Sequence, residues 1–230
     1  MSSVSWRTHA VEPSGRKVTK QFSAGERGRC AREWRGLTLL ARYAPGLAPV
    51  PRRAELTAGR PLVVMSRLPG VALRGRPLDE RRLDALAEAV RTLHCAVPSE
   101  VVRSLPLRPG HQQDLVARLR SWASARPGPP HGGEVARAAE RGLLWLAGSG
   151  LDAGGTAGAR PVFGAGDGNL ANYLWDGERV RVVDFEDSGR SDRVLELAEI
   201  TEHWPVGRTR RWTWRPSCTA STSPRRNASG

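Results

Sequence analysis

The chain has 230 residues, 39% of them hydrophobic, and no apolar run near the ~18 residues of a membrane-spanning helix, so none is expected. The formal net charge is +13, but Lys17 and Lys20 are the only lysines and the arginines are spread along the whole chain. That spread argues against a single nucleic-acid-binding arm, while phosphate-rich ligands would still be attracted. Cys30, Cys95 and Cys218 are odd in number, far apart and without a C-x-x-C pair, and the N-terminus lacks an apolar signal core; together these suggest a reducing cytoplasm and no cysteine metal site.

Ser3 to Val11 is a candidate second strand of a hairpin whose first strand and loop are expected to be absent. Arg16 to Phe22 reads as a short strand entered from a Ser14-Gly15 turn, and Lys17 and Lys20, three apart on it, face opposite sides. A helix follows from Gly28, with Ala31, Trp34, Leu37, Leu39 and Leu40 at near-helical spacing and Glu33 in its first half. Pro61 to Met65 is a strand, broken by Ser66-Arg67-Leu68-Pro69-Gly70. Leu78 to Val97 is an amphipathic helix with Leu83, Leu86, Ala87, Val90 and Leu93 on one stripe; His94 ends the stripe and is expected to be packed rather than catalytic. His9, His111, His131 and His203 form no spaced ligand set. Helices are expected over 113–124 and 134–147, with a break at 126–133. The glycines of 148–160 lack the order of a phosphate cradle.

The most informative stretch comes next. Gly166-Asp167-Gly168-Asn169-Leu170-Ala171-Asn172 is followed twelve residues later by Asp184-Phe185-Glu186. Asn169 to Trp175 reads as one strand, Asp176-Gly177 as a tight turn and Arg179 to Phe185 as the partner strand, which returns Asp184 beside Asn172. An Asp, an Asn five residues on and an Asp at the end of a hairpin is the spacing of a kinase-type phosphoryl-transfer site. The first Asp would orient and deprotonate an attacking hydroxyl. The Asn and the second Asp are hard oxygen donors suited to Mg²⁺, which takes one or two carboxylates plus phosphate oxygens.

From Val162 to His203 the chain resembles the catalytic core of the aminoglycoside phosphotransferase family, which shares the protein-kinase-like fold. The family pattern H-G-D-x-x-x-x-N, then a hydrophobic-Asp-Phe pair, appears as Ala165-Gly166-Asp167 through Asn172 and Val183-Asp184-Phe185, followed by Gly189-Arg190-Ser191-Asp192 and Glu196-Leu197-Ala198. The resemblance implies an α+β, two-lobed fold: a partial nucleotide-binding N-lobe of antiparallel strands over 1–68 and a mainly helical C-lobe over 69–203. It implies Asp167 as catalytic base, Asn172 and Asp184 as Mg²⁺ ligands and Asp192 as the brace beneath the catalytic loop. It further implies Lys20 and Glu33 as the pair that grips the α- and β-phosphates, with Lys17 competing for the lysine role, and Met65 and Arg67 at the inter-lobe hinge where backbone groups meet adenine. The family's His before Gly-Asp is Ala165 here, a change that loosens the loop rather than deleting the chemistry.

The implied activity is ATP-dependent, Mg²⁺-assisted phosphorylation of a hydroxyl on a small molecule, an aminoglycoside-like antibiotic or a metabolite, in the cytoplasm. A Gly-rich phosphate loop before the lysine strand is expected to be absent, as in a domain truncated at its N-terminus. From Trp204 to Gly230 the chain carries six arginines, three tryptophans and no acid, and reads as a basic, disordered tail. A frameshift after about residue 203 also accounts for it, since GC-rich codons for residues 208–219, shifted by two bases, encode an acidic amphipathic segment. The competing readings are a catalytically impaired remnant of the family and a basic nucleic-acid-binding protein.

Overall fold

The computed structural model describes residues 10–125, 133–151 and 160–202. The expectations for residues 3–9, the break at 126–132, most of the 148–160 loop and the tail 204–230 lie outside the described residues, as do His9, His131, His203 and Cys218.

Strands β1 (Ala10–Ser14) and β2 (Lys17–Gln21) form a hairpin around Gly15, whose φ of +55° belongs to the left-handed region that glycine tolerates. With β3 (Pro51–Glu55) and β4 (Leu62–Ser66) they make an antiparallel sheet in the order β1-β2-β4-β3. Its register sets Lys20 opposite Val63 on one side and Val11 on the other. Lys20 is buried and Lys17 exposed, as the alternation of a strand requires. Of the strand expected over Ser3 to Val11, only Ala10 and Val11 are among the described residues, and both lie in β1.

Helix α1 (Arg27–Tyr43) packs on this sheet. Its buried face runs Cys30, Glu33, Leu37 and Leu40, while Ala31, Trp34 and Leu39 flank it half-buried. The apolar stripe in the sequence therefore sits to one side of the true inward face, because a carboxylate occupies its centre.

The second half of the fold begins with β5 (Val71–Ala72) and α2 (Glu80–Ala96). Asp79 caps α2 by accepting the Arg82 N–H at 2.9 Å, and Leu86, Ala89, Val90, Leu93 and His94 are buried. Then come α3 (Ser99–Ser104), α4 (Gln112–Ser124), α5 (Glu134–Gly148), β6 (Pro161–Gly164), β7 (Tyr173–Trp175), β8 (Val180–Val182), β9 (Gly189–Asp192) and α6 (Arg193–Glu202). β5, β7 and β8 form one small sheet and β6 and β9 a second. One apolar core runs through the molecule from Phe22, Leu37 and Val63 to Leu86, Phe163 and Phe185. Among the described residues no helix is long and apolar enough to cross a membrane.

The expected long hairpin is shorter than drawn. Leu170–Asn172 is a turn of 3₁₀-helix rather than strand, and only Tyr173–Trp175 pairs with Val180–Val182. Local side-chain bonds to the backbone outcompete the sheet ladder there. Asp167 accepts the Asn169 N–H and Asn169 accepts the Ala171 N–H.

His94 is packed, as expected, with neither ring nitrogen bonded. Burial, reinforced by the Arg193 charge, holds its pKa down at about 3. A depressed histidine pKa favours the folded state fully above the unfolded value near 6.5, and that contribution is lost as pH falls toward 3. His94→Leu is expected to remove this slope, leaving the variant more stable than the parent by about 2 kcal/mol at pH 4.5 relative to their difference at pH 7. Denaturant titrations at the two pH values check it; parallel pH dependence of both proteins would refute the assignment.

Candidate active site

Lys20 stands at the centre of the site. Its Nζ lies 2.6 Å from Asp184 Oδ1, 2.8 Å from Glu186 Oε2 and 3.1 Å from Glu33 Oε2. Burial alone would lower the lysine pKa, but Glu33, Asp184 and Glu186 outweigh it and hold the ammonium above its usual range. Burial pushes the Glu33 carboxyl up, against the pull of Lys20. The same Glu33 Oε2 accepts the Phe185 N–H at 2.8 Å, so one carboxylate ties α1, β2 and the segment after β8 together.

That segment is clasped to α1 along its length. Arg32 Nε donates to the Glu186 carbonyl at 2.6 Å, Arg32 and Arg29 pair with Asp187, and Arg29 pairs with Glu186 at 3.4 Å. Gly36 makes room for it: a Cβ there would lie 2.9 Å from Phe185 Cβ. Asp184 itself sits at φ +70°, uncommon for a residue with a side chain. The turn aims its carboxylate back at Lys20, while Val183 N–H donates to the Asn172 carbonyl at 2.9 Å and brings the two sequence-predicted metal ligands to one wall.

Asp167 is held by its own loop. Its Oδ1 accepts the Asn169 N–H and its Oδ2 accepts Asn172 Nδ2, each at 2.9 Å. The loop lies tight on its surroundings through three glycines. A Cβ on Gly164 would meet Glu196 Oε1 at 2.2 Å, one on Gly166 (φ +84°) the Asp187 carbonyl at 2.1 Å, and one on Gly168 the Glu199 backbone at 2.3 Å. Ala165, at the family's histidine position, is buried in the core. The backbone beside it is held from α6, where Glu196 Oε2 accepts the Gly166 N–H at 3.4 Å. Asp192 caps α6 by accepting the Leu195 N–H at 2.9 Å; the side chain that meets the loop backbone is Glu196, one turn further on.

A cleft of about 240 Å³ opens beside these groups. Its apolar walls come from Val11, Val18, Met65, Leu68, Leu174 and Val183, and Lys20, Glu33, Asn172 and Asp184 share its lining. Arg67, expected with Met65 at the hinge, also lines it; its N–H is donated to the Arg16 carbonyl at 2.8 Å, and the Ser66 N–H to the Val50 carbonyl at 2.9 Å. The pairing of β2 with β4 thus extends one residue past β4. Asn172 and Asp184 offer hard oxygens to a Mg²⁺ ion, with room in the cleft for further oxygens from a phosphate chain. Among the described residues no group of three or more His, Cys, Asp and Glu could hold a metal ion by itself.

The sequence reading missed Glu186 as a partner of Lys20 and missed Arg108 entirely. Glu186 carried a signal, standing two residues after Asp184 in a Asp-Phe-Glu run. Arg108 carried none, being one arginine among many in a segment without regular structure.

The phosphotransferase enzyme family model matches residues 2–213. No curated protein sequence matches the chain. Among solved structures, the protein is similar to an aminoglycoside phosphotransferase from Streptomyces rimosus in complex with ADP and streptomycin, at 18% identity and a TM-score of 0.58 over 84% of this chain and 77% of that one. It is similar to an aminoglycoside-3'-phosphotransferase of type VIII at 24% identity and a TM-score of 0.57, over 85% of this chain and 73% of that one. It is also similar to a choline kinase from Streptococcus pneumoniae at 16% identity and a TM-score of 0.57, over 84% and 63% respectively. These likenesses establish the fold: α+β, two-lobed and protein-kinase-like.

Gly166→Ala combines a strained φ with a backbone collision and is expected to cost about 3 kcal/mol or more of stability. Gly177→Ala, also at positive φ but with nothing within 4 Å of its Cβ, isolates the strain. Chemical denaturation of both variants checks this; equal losses would show that the close approach of the loop to Asp187 carries no energy.

Proposed function

The chain belongs to the phosphotransferase enzyme family, and we propose that it transfers the γ-phosphoryl group of ATP to a hydroxyl of a small molecule. The observation that carries this reading is the convergence of Lys20, Glu33, Asn172 and Asp184 on one apolar-walled cleft, with Asp167 bonded to Asn172 at its edge. Phosphoryl transfer asks little covalent chemistry of a protein; it asks for positioning and for fixed charge around the phosphate oxygens.

In this reading the apolar walls hold the adenine, with Met65 buried at the back and Leu68 next to the hinge. Lys20, oriented by Glu33, meets the α- and β-phosphates. Asn172 and Asp184 would hold Mg²⁺, which would supply charge neutralisation on the phosphate oxygens. Asp167 keeps lone pairs free beyond the two hydrogen bonds it accepts, and so can hold the acceptor hydroxyl in line and take its proton. Residues up to about 68 form the nucleotide-binding lobe and 69–203 the lobe that carries the catalytic loop. The solved relatives that act on aminoglycosides and choline support an alcohol-bearing small molecule as acceptor, and ATP as donor suits the cytoplasm.

A second reading is favoured by Ala165: a remnant that binds nucleotide and no longer turns over. The test that separates the two uses Mg·ATP and a panel of hydroxyl acceptors, from aminoglycosides to choline and simple sugars. The active reading predicts turnover with at least one acceptor. It also predicts that Asp167→Ala lowers kcat by ~10²–10⁴-fold while Mg·ATP affinity stays within about threefold. Turnover that survives in Asp167→Ala would remove that residue from the mechanism. Nucleotide binding without turnover of any acceptor would establish the remnant.

A further inference from the structure

Arg108 ranks first among the fully buried side chains by volume, only 1% exposed, yet it lies in the irregular segment between α3 and α4. That segment is laid on β9 by two backbone bonds, Arg108 N–H to the Arg190 carbonyl (3.0 Å) and Arg190 N–H to the Pro106 carbonyl (2.9 Å). Gly189 permits the contact, since a Cβ there would come within 2.9 Å of Arg108 N and Cα. The guanidinium then reaches α6. Its Nε pairs with Glu196 Oε1 at 3.3 Å, and its Nη2 donates to Glu199 Oε1 and to the Gly110 carbonyl.

A buried ion pair is weak evidence for stability, because desolvation offsets much of the attraction. The arrangement here does something more specific. Glu196 and Glu199, with the Ile200 backbone, are residues of α6 that lie under the catalytic loop. Glu196 Oε2 accepts the Gly166 N–H and its Oε1 presses on Gly164, while the Glu199 backbone lies against Gly168. These three glycines bracket Asp167.

We propose that Arg108 is a positioning residue for Asp167: by holding Glu196 and Glu199 in place, it fixes the backbone of residues 164–168 and so the direction in which Asp167 presents its carboxylate. The proposal rests on the reading of Asp167 as the group that takes the acceptor's proton. Burial pushes the Glu196 carboxyl up and Arg108 is the first group that opposes it. Without the guanidinium, Glu196 takes up a proton or turns away, and the Gly166 N–H loses its anionic acceptor.

The full-length protein tests this in two readouts, steady-state kinetics and site-resolved amide hydrogen exchange. Arg108→Met is expected to lower kcat by ~10–100-fold with the KM for Mg·ATP within about twofold, since a small misplacement of a catalytic group costs rate rather than nucleotide binding. Exchange in 162–175 is expected to quicken by about tenfold while that of α2 (80–96) is unchanged. Adding Glu196→Gln, which keeps an oxygen acceptor for Gly166 and needs no counter-charge, is expected to restore most of kcat. Should Arg108→Met fail to fold, Arg108→Lys serves instead; it keeps the charge, loses the fork and is expected to give a smaller kcat loss with the same unchanged KM. Unchanged kcat, or kcat and KM deteriorating together with exchange rising equally in α2, would overturn the proposal and leave Arg108 a structural anchor. If the parent protein turns over no acceptor, the proposed activity fails separately, and the exchange of 162–175 alone decides whether Arg108 positions the loop.

Discussion

Everything around the cleft is arranged about one buried ammonium. Lys20 is held by three carboxylates from two different parts of the chain, Glu33 from α1 and Asp184 and Glu186 from the segment after β8. Together the three carboxylates outweigh the cost of burial and keep the ammonium charged. This single contact fixes which face of β2 points inward and how α1 lies on the sheet. It also explains the left-handed turn at Asp184, which a straight continuation of β8 would not need.

A second support works from below. Asp167 takes its geometry from two local hydrogen bonds within its own loop, and the loop takes its height from three glycines pressed on α6 and on Asp187. Ala165 removes a side chain that the family pattern uses, and the buried Arg108 and Glu196, with the half-buried Glu199, stand under the same few residues. Lys20 and the Asp167 loop therefore rest mainly on different charged groups, those of α1 and those of α6, and Asp187 touches both, pairing with Arg32 and lying against Gly166.

Much of this was legible in the sequence. The run from Gly166 to Asn172 and the Asp184-Phe185 pair, grouped in the sequence by their spacing, stand together in the structure, and the hairpin between them was marked by Asp176-Gly177. Lys20 and Lys17 were separated by strand alternation alone. What the sequence hid has physical causes. The inward face of α1 was displaced, because Glu33, itself named from the sequence, lies at its centre, where a hydrophobic stripe counts it as a gap. The strand expected from Asn169 was cut short by side-chain-to-backbone bonds that period-2 reading cannot register. Strands β3 and β9, with sequences Pro-Arg-Arg-Ala-Glu and Gly-Arg-Ser-Asp, carry no strand signature and exist because neighbours pair with them.

The measurement that bears most directly on the account is a thermal-shift titration with ATP, with and without Mg²⁺, on the parent protein and Asp184→Ala. If the cleft is a Mg²⁺-assisted nucleotide site, the parent melts higher with Mg·ATP than with ATP and EDTA, by an increment that grows with ligand and corresponds to ~2.7 kcal/mol at a hundredfold excess over Kd. Asp184→Ala then loses that magnesium-dependent increment. A shift of equal size without magnesium, or one retained in Asp184→Ala, would contradict the claim that Lys20, Asn172 and Asp184 form one site.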